Sequence, residues 1–157
     1  MLYVIGAGVI FFTSVLTLNR TMLNNFNTIS ESTILLTSAS IGQGIIEEAQ
    51  GKLFDESLFG ESVPDIPACF TAGGLLGTEN SESYPMFNDI DDYNGLTRLI
   101  LTQSGLCSTV VKVGYVDSID VNQWISSRGF YKKMEVAVYT NALPQPVKLQ
   151  YLFCYNK

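Results

Sequence analysis

The chain opens with MLYVIGAGVIFFTSVLTL, residues 1–18, in which no side chain is charged. As an α-helix this stretch would span roughly 27 Å, close to the roughly 30 Å hydrocarbon core of a bilayer. The first charged side chain is Arg20, and a largely polar stretch follows it. Such a segment can be a signal peptide, a membrane anchor, a buried core helix or an assembly element, and this choice decides most of the function.

Two of these alternatives fit the residues poorly. A secretory signal peptide has a basic region before its apolar core and a small-residue cleavage site after it. Here nothing basic precedes the run, and its glycines, Gly6 and Gly8, lie inside it. A core helix that is apolar on all sides is also out of place at a free chain end. We therefore expect an anchor or an assembly element, with a leader removed so that the numbering begins near the mature N-terminus.

The helical pattern continues beyond residue 18. No proline occurs before Pro64, and Gly51 with the FDES that follows it indicates where the helix ends. The sequence therefore predicts one helix over residues 1–53, with 1–18 as its membrane or filament-core segment and an amphipathic remainder. The apolar face of that remainder consists of Leu23, Phe26, Ile29, Ile34, Ile41, Ile45, Ala49 and Leu53.

The remaining residues, 54–157, predict a globular head. Its first part, 54–106, is rich in Pro, Gly, Ser and acidic residues and predicts a loop-rich middle. Its second part, 107–157, predicts antiparallel strands at 107–117, 132–140 and 147–153, with a hairpin connection at 141–146. We expect the amphipathic part of the helix to cover the apolar face of this sheet. The predicted fold is α+β, with a small head on a protruding helical stalk.

The composition argues against several function classes. The formal charge is -6, and nine scattered Lys and Arg residues give no basic patch for nucleic acid. The absence of histidine removes the commonest general base and the imidazole metal ligands. The adjacent carboxylates Glu47 and Glu48 point apart on a helix. We expect no enzymatic activity, and no cofactor other than the cation considered below.

Three cysteines, Cys69, Cys107 and Cys154, lie far apart in the sequence. No C-x-x-C pair occurs among them, so a zinc site is not indicated. In an oxidising compartment two of them could form a disulfide and leave the third free, and the sequence does not say which two. The alternative is that all three are small buried hydrophobic residues.

The stretch FNDIDDYNGL, residues 87–96, is the sharpest local signal for a site. Its oxygen-bearing side chains Asp89, Asp91, Asp92 and Asn94 fall within six residues, and hard cations such as Ca²⁺ bind clusters of this kind. The spacing does not fit an EF-hand loop, which needs a glycine at its sixth position and a glutamate at its twelfth. The alternative is an Asx-rich turn that closes on Gly95.

The plan of the chain resembles the type IV pilin family, including the pseudopilins of type II secretion systems. The resemblance covers the whole chain. It rests on the apolar helical start, its amphipathic continuation, the stretches IIEEAQGKLFDE (45–56) and FNDIDDYNGL (87–96), and the terminal strands. It implies a structural subunit that a prepilin peptidase processes in a bacterial inner membrane, commonly with methylation of the new N-terminus. Assembly machinery then packs many copies into an extracellular helical filament. Some pseudopilins bind Ca²⁺ in the head.

The resemblance assigns the apolar run to the core of a homopolymer. In typical major pilins the fifth mature residue is a glutamate, whereas this chain has Ile5 and no carboxylate before Glu31. Many pilins also have a helix-bending proline near position 22, where this chain has Met22. Either the mature N-terminus lies elsewhere or assembly relies on apolar packing alone. The expected core residues are Met1, Leu2, Tyr3, Val4, Ile5, Gly6, Ala7, Gly8, Val9, Ile10, Phe11, Phe12, Val15, Leu16 and Leu18.

Two other functions compete with a major filament subunit. A minor pilin or pseudopilin would prime assembly or serve secretion without forming a long fibre. A membrane-anchored binding module would use the same apolar helix as a permanent anchor and bind a ligand through its acidic head. The three differ in abundance and in oligomeric state.

Overall fold

The computed structural model describes residues 2–58, 67–79 and 82–155, and the side chains of all of these except residues 2–5 and 7. Within these ranges one long helix precedes a four-stranded antiparallel sheet in which strands adjacent in sequence are also adjacent in space. The fold is therefore α+β, as the sequence predicts. The elements are α1 (Leu2–Gln50), β1 (Thr97–Thr102), β2 (Gly105–Tyr115), β3 (Tyr131–Thr140) and β4 (Val147–Cys154).

The helix α1 confirms the prediction of one long N-terminal helix, and its end lies close to the expected position. The backbone N–H of Gly51 donates to the carbonyl of Glu48, and that of Lys52 donates to the carbonyl of Ala49. These bonds close the last turn. The chain then extends, and Leu53 forms a parallel bridge with Asp89.

The chain divides into two compact units, Met1–Leu36 and Thr37–Lys157. The first unit contains the N-terminal part of α1. The second contains the rest of α1, the connecting segments and the whole sheet. No helix in the described part of the chain has a segment long and apolar enough to cross a membrane.

The C-terminal part of α1 covers one face of the sheet, and this part of the prediction is confirmed. Leu23, Phe26 and Ile29 were expected on the same apolar face, but they are 60%, 73% and 66% exposed. Gly42 is buried at this contact, and a Cβ added there would lie 2.8 Å from Leu149 Cδ1. One hydrophobic cluster joins the helix and the strands and forms the core of the second unit. Its helical members are Ile45, Ile46 and Ala49, and its central strand members are Val111, Val113, Met134, Val136 and Val138.

Three of the four strands lie where the sequence predicts them, at β2, β3 and β4. The fourth, β1, falls inside the segment expected to be loop, so the sheet is larger than the three strands predicted. Its outward-facing residues Leu99 and Leu101 are 69% and 82% exposed. Because apolar residues lie on the outer face of β1, the alternation that marks a half-buried strand is absent from its sequence.

Candidate functional site

Within the first unit, residues 9–18 carry apolar side chains on all sides of α1. Successive helical residues are rotated by about 100°, so four consecutive apolar residues such as 9–12 face every direction. Their exposed fractions lie between 57% and 72%. We call the following residues the apolar surface: Val9, Ile10, Phe11, Phe12, Val15, Leu16, Leu18, Met22, Leu23, Phe26 and Ile29.

Several expected filament-core positions lie outside the described residues. These are Met1 and the side chains of Leu2, Tyr3, Val4, Ile5 and Ala7. Gly6 and Gly8 are described and exposed, and a Cβ added at either would meet nothing within 4 Å. Packing within the chain therefore gives no reason for glycine at these two positions.

The hydroxyl side chains that lie between residues of the apolar surface donate hydrogen bonds to carbonyls of their own helix. Thr13 Oγ1 donates to the carbonyl of Val9 at 3.0 Å, and Ser14 Oγ donates to the carbonyl of Ile10 at 2.8 Å. Thr17 Oγ1 donates to the carbonyl of Thr13 at 2.8 Å. These bonds satisfy the hydroxyl protons without water, as is required in apolar surroundings.

The FNDIDDYNGL stretch forms a tight turn at the end of α1. The backbone N–H of Leu53 donates to the carbonyl of Asn88, and that of Ile90 donates to the carbonyl of Leu53. Asp89 Oδ1 accepts from the backbone N–H of Asp91 at 2.8 Å and so begins the 3-10 turn Asp91–Tyr93. Gly95 follows with a φ of 84°, which glycine adopts readily. The Asx-rich turn proposed from the sequence is therefore present.

The four expected cation ligands do not converge on one point. Both oxygens of Asp89 accept backbone N–H groups, from Glu56 on one side and from the 3-10 turn on the other. Asp91 contacts Lys132, 2.7 Å away. The amide of Asn94 donates to the carbonyl of Leu76 and accepts from Val113 N–H. Of the expected set, Asp92 alone belongs to a group of carboxylates spaced to share an ion.

Lys132 belongs to β3, and its side chain is fully buried between two aspartates. Its ammonium donates to the carbonyl of Phe54 at 2.6 Å and to Asp55 Oδ2 at 3.1 Å, and it lies 2.7 Å from Asp91 Oδ1. All three charged side chains are 0% exposed. Aromatic rings enclose the group, with the ring centroid of Phe54 at 4.5 Å and that of Tyr115 at 5.2 Å from the ammonium.

The two aspartates beside Lys132 differ in acidity. Burial raises the pKa of Asp91 to about 7, although the Lys132 charge opposes this. Burial also acts to raise the pKa of Asp55, but Lys132 and hydrogen bonds from Ser57 and Thr71 outweigh it and hold the pKa below the ordinary value. The lowered pKa of Asp55 favours its ionised form beside Lys132. These interactions anchor three segments of the second unit to one another.

A second acidic group includes Asp92 of the same turn. One ligand oxygen from each of Glu79, Glu82 and Asp92 lies within 4.8 Å of the other two, and we call these residues the carboxylate cluster. Burial, followed by contact with Glu56 and repulsion from Asp89 and Asp92, raises the pKa of Glu79 to about 7. Burial, followed by contact with Asp92, also raises the pKa of Glu82. Like charges are concentrated here.

Sequence reasoning missed most of these interacting residues. Lys132 lies two residues before Met134 and four before Val136, so the three side chains share one face of β3. The strand alternation therefore predicts Lys132 on the core face. Glu48 accepts hydrogen bonds from the hydroxyls of Tyr84 and Tyr93, which come from distant parts of the chain. No local pattern indicates such a contact. The same holds for the carboxylate cluster.

The three cysteines and the tryptophan all lie in the described part of the chain. Cys69 is half-buried, Cys107 buried and Cys154 exposed, and all three carry free thiols. Only Cys107 thus fits the prediction of buried small hydrophobic residues in full. Trp124 lies over Gly114, between Lys112 at 4.1 Å and Lys133 at 4.3 Å from its ring.

Comparisons with known proteins supply no relative for this arrangement. No protein-family model, curated protein or solved structure matches the chain. The functional argument therefore depends on the residues and contacts described above.

Proposed function

We propose that this chain is the structural subunit of an extracellular helical filament like a type IV pilus, assembled through its apolar N-terminal helix. The observation that carries the proposal is the apolar surface. Its side chains are between 45% and 73% exposed within the chain. Contiguous exposed apolar area of this kind is a mark of a protein or membrane contact. Burying one large apolar side chain stabilises an assembly by roughly 1.5–3 kcal/mol.

Contact with further copies of the same helix explains the glycines. A glycine inside a helix costs about 1 kcal/mol relative to alanine. Gly6 and Gly8 lie at no close contact within the chain, because a Cβ added at either would have no neighbour within 4 Å. Small residues let two helices approach closely in apolar surroundings, and this supports helix–helix packing between subunits. Head-to-tail contacts whose rotation does not close produce an open helical filament.

The same helix accounts for the earlier stage that the pilin resemblance implies. In that stage the apolar surface would contact a bacterial inner membrane, and a prepilin peptidase and the assembly machinery would act on the precursor there. The internally bonded hydroxyls of Thr13, Ser14 and Thr17 suit an apolar environment in the membrane and in the filament core.

Electron microscopy of filaments sheared from the native cells, with mass spectrometry of the purified fibres, tests the proposal. We expect this chain to be the main component. In a matched pair of variants, Phe12→Lys places a charge on the apolar surface, and Ile119→Lys makes the same kind of change at a residue that is 95% exposed in the second unit. Phe12→Lys should abolish filaments, and Ile119→Lys should leave them intact.

Other outcomes distinguish the alternatives. Fibres that contain only traces of this chain would indicate a minor pilin or pseudopilin. A chain that stays in the membrane fraction, monomeric in detergent and without fibres, would indicate an anchored binding module. Cellular levels of both variants are measured by immunoblot, so that loss of filaments is not confused with loss of protein. Wild-type levels of filaments from Phe12→Lys would contradict the proposal.

A further inference from the structure

We propose that the carboxylate cluster, Glu79, Glu82 and Asp92, binds one Ca²⁺ ion. This site differs from the run of side chains at 89–94 that the sequence singles out, and it shares only Asp92 with that run. It does not depend on whether the chain forms filaments.

The distances fit a single ion. Oxygen ligands bind Ca²⁺ at about 2.3–2.6 Å, so two ligands on opposite sides of one ion lie roughly 5 Å apart at most. The three carboxylate oxygens lie within 4.8 Å of one another. Mg²⁺ requires near-octahedral geometry and gives up its water ligands reluctantly, so a site made of protein carboxylates favours Ca²⁺. Carboxylate oxygens are also the hard ligands that Ca²⁺ prefers.

Asp92 supplies an independent reason to expect a cation. Its side chain is 1% exposed. Its Oδ2 accepts from the backbone N–H groups of Asn88 and Asp89, at 2.9 Å and 3.3 Å, whereas its Oδ1 has no hydrogen-bond partner. A buried carboxylate oxygen without a partner is costly, and a bound cation would satisfy it.

The surrounding oxygens repeat this pattern. Glu79 Oε2, Glu82 Oε2 and Asn88 Oδ1 are also buried without a hydrogen-bond partner. The amide nitrogen of Asn88 donates to Glu82 Oε1 at 2.6 Å and so holds the two side chains side by side. The backbone contacts of Asn88 with Leu53 fix the same residue to the end of α1. A bound ion would thus tie Glu79 and Glu82 to the turn at Asp92.

Calcium titration of the full-length chain in detergent tests the site. Isothermal calorimetry should give one ion per chain, and Ca²⁺ should raise the urea midpoint of unfolding. The chain has one tryptophan, Trp124, so its fluorescence reports unfolding of the second unit. Titration to about 10 mM covers the weakest extracellular calcium sites. Mg²⁺ at equal concentration should give a smaller shift.

Two double variants remove the same number of charges. Glu79→Gln with Glu82→Gln changes the cluster, and Glu31→Gln with Glu47→Gln changes two exposed glutamates outside it. In chelator the cluster variant should be at least as stable as the wild type, because it relieves repulsion, and in Ca²⁺ it should show neither heat nor a midpoint shift. The control variant should respond as the wild type does.

Several results would overturn the proposal. These are a wild-type chain that shows no heat and no midpoint shift with Ca²⁺, an equal response to Mg²⁺, or a cluster variant that still binds Ca²⁺ with wild-type affinity. Loss of the response in the control variant would point to diffuse charge screening and would also overturn it. Because stability in chelator is measured separately, a folding defect cannot be mistaken for lost binding.

Discussion

At the scale of single residues, Lys132 joins three segments of the second unit. An isolated charge in an apolar interior is unfavourable by many kcal/mol, so it is tolerated only with counterions and hydrogen bonds. The three protons of the ammonium match three acceptors, the carbonyl of Phe54 and the carboxylates of Asp55 and Asp91. Lys132 therefore connects β3 to the segment after α1 and to the 3-10 turn.

Replacing this lysine should be costly. Lys132→Met leaves Asp55 and Asp91 buried without their counterion, and removing one partner of a buried ion pair costs about 3–5 kcal/mol. Lys148→Met is the matched control, because Lys148 is 55% exposed and pairs with Glu135 at 3.4 Å. An exposed pair contributes about 0–1 kcal/mol. Urea unfolding followed by Trp124 fluorescence measures both, and equal losses would contradict the role assigned to Lys132.

Acid should remove the contribution of Asp55. Its pKa in the folded chain is below the ordinary value of 3.8, so its ionised form stabilises the fold above that value. This contribution is lost as the pH falls through the folded-state pKa. We expect the difference in urea midpoint between the wild type and Asp55→Asn to be large at pH 6 and to narrow below pH 3.8. A constant difference across this range would show that Asp55 does not act through its charge.

At the scale of elements, α1 approaches the sheet closely at Gly42. Gly42 is buried against β3 and β4, where an added Cβ would lie 2.8 Å from Leu149 Cδ1 and 3.6 Å from Val138 Cγ2. Gly44, two residues later, is exposed and has nothing within 4 Å of such a Cβ. The two glycines therefore serve different purposes in one helix.

Leucine substitutions separate the two positions. Gly44→Leu should stabilise the second unit by up to about 1 kcal/mol, because leucine favours the helix and meets no neighbour there. Gly42→Leu should destabilise it by about 1–3 kcal/mol, because the larger side chain forces the helix away from the sheet. Urea midpoints measure both. A stabilising Gly42→Leu would mean that the helix does not pack at the distance described.

At the scale of the whole molecule, the two units differ in whether their apolar side chains are buried or exposed. The second unit has a shared core of helix and sheet, whereas the described part of the first unit is helical and exposes the apolar surface. Self-association and stability of the fold are therefore expected to depend on different parts of the chain.

A shortened chain tests this separation. We expect a chain that begins at Thr37 to remain folded and monomeric without detergent, because it keeps the core and loses the apolar surface. Its urea midpoint of unfolding, followed by Trp124 fluorescence, should be close to that of the full-length chain. Light scattering should give the mass of one chain. Aggregation would show that another surface also drives association, and unfolding would show that residues 1–36 are required for the fold.

The sequence by itself determined the elements whose signal is local. The apolar start, the helical periodicity up to Gly51 and the alternation in β2, β3 and β4 follow from side-chain spacing along one segment. So does the Asx-rich turn, because Asp89 bonds to backbone groups two and three residues away. The strand β1 escaped detection because its apolar residues face outward.

Only the tertiary structure decided which charged groups meet. Lys132 lies more than seventy residues from Asp55, and Glu79 reaches Asp92 only because the chain folds back against the end of α1. The stretch 89–94 indicated a cation, but backbone N–H groups and Lys132 occupy most of its oxygens. Local spacing determines which side chains share a face, whereas ion pairs and ion sites form between segments whose meeting depends on the packing of the whole core.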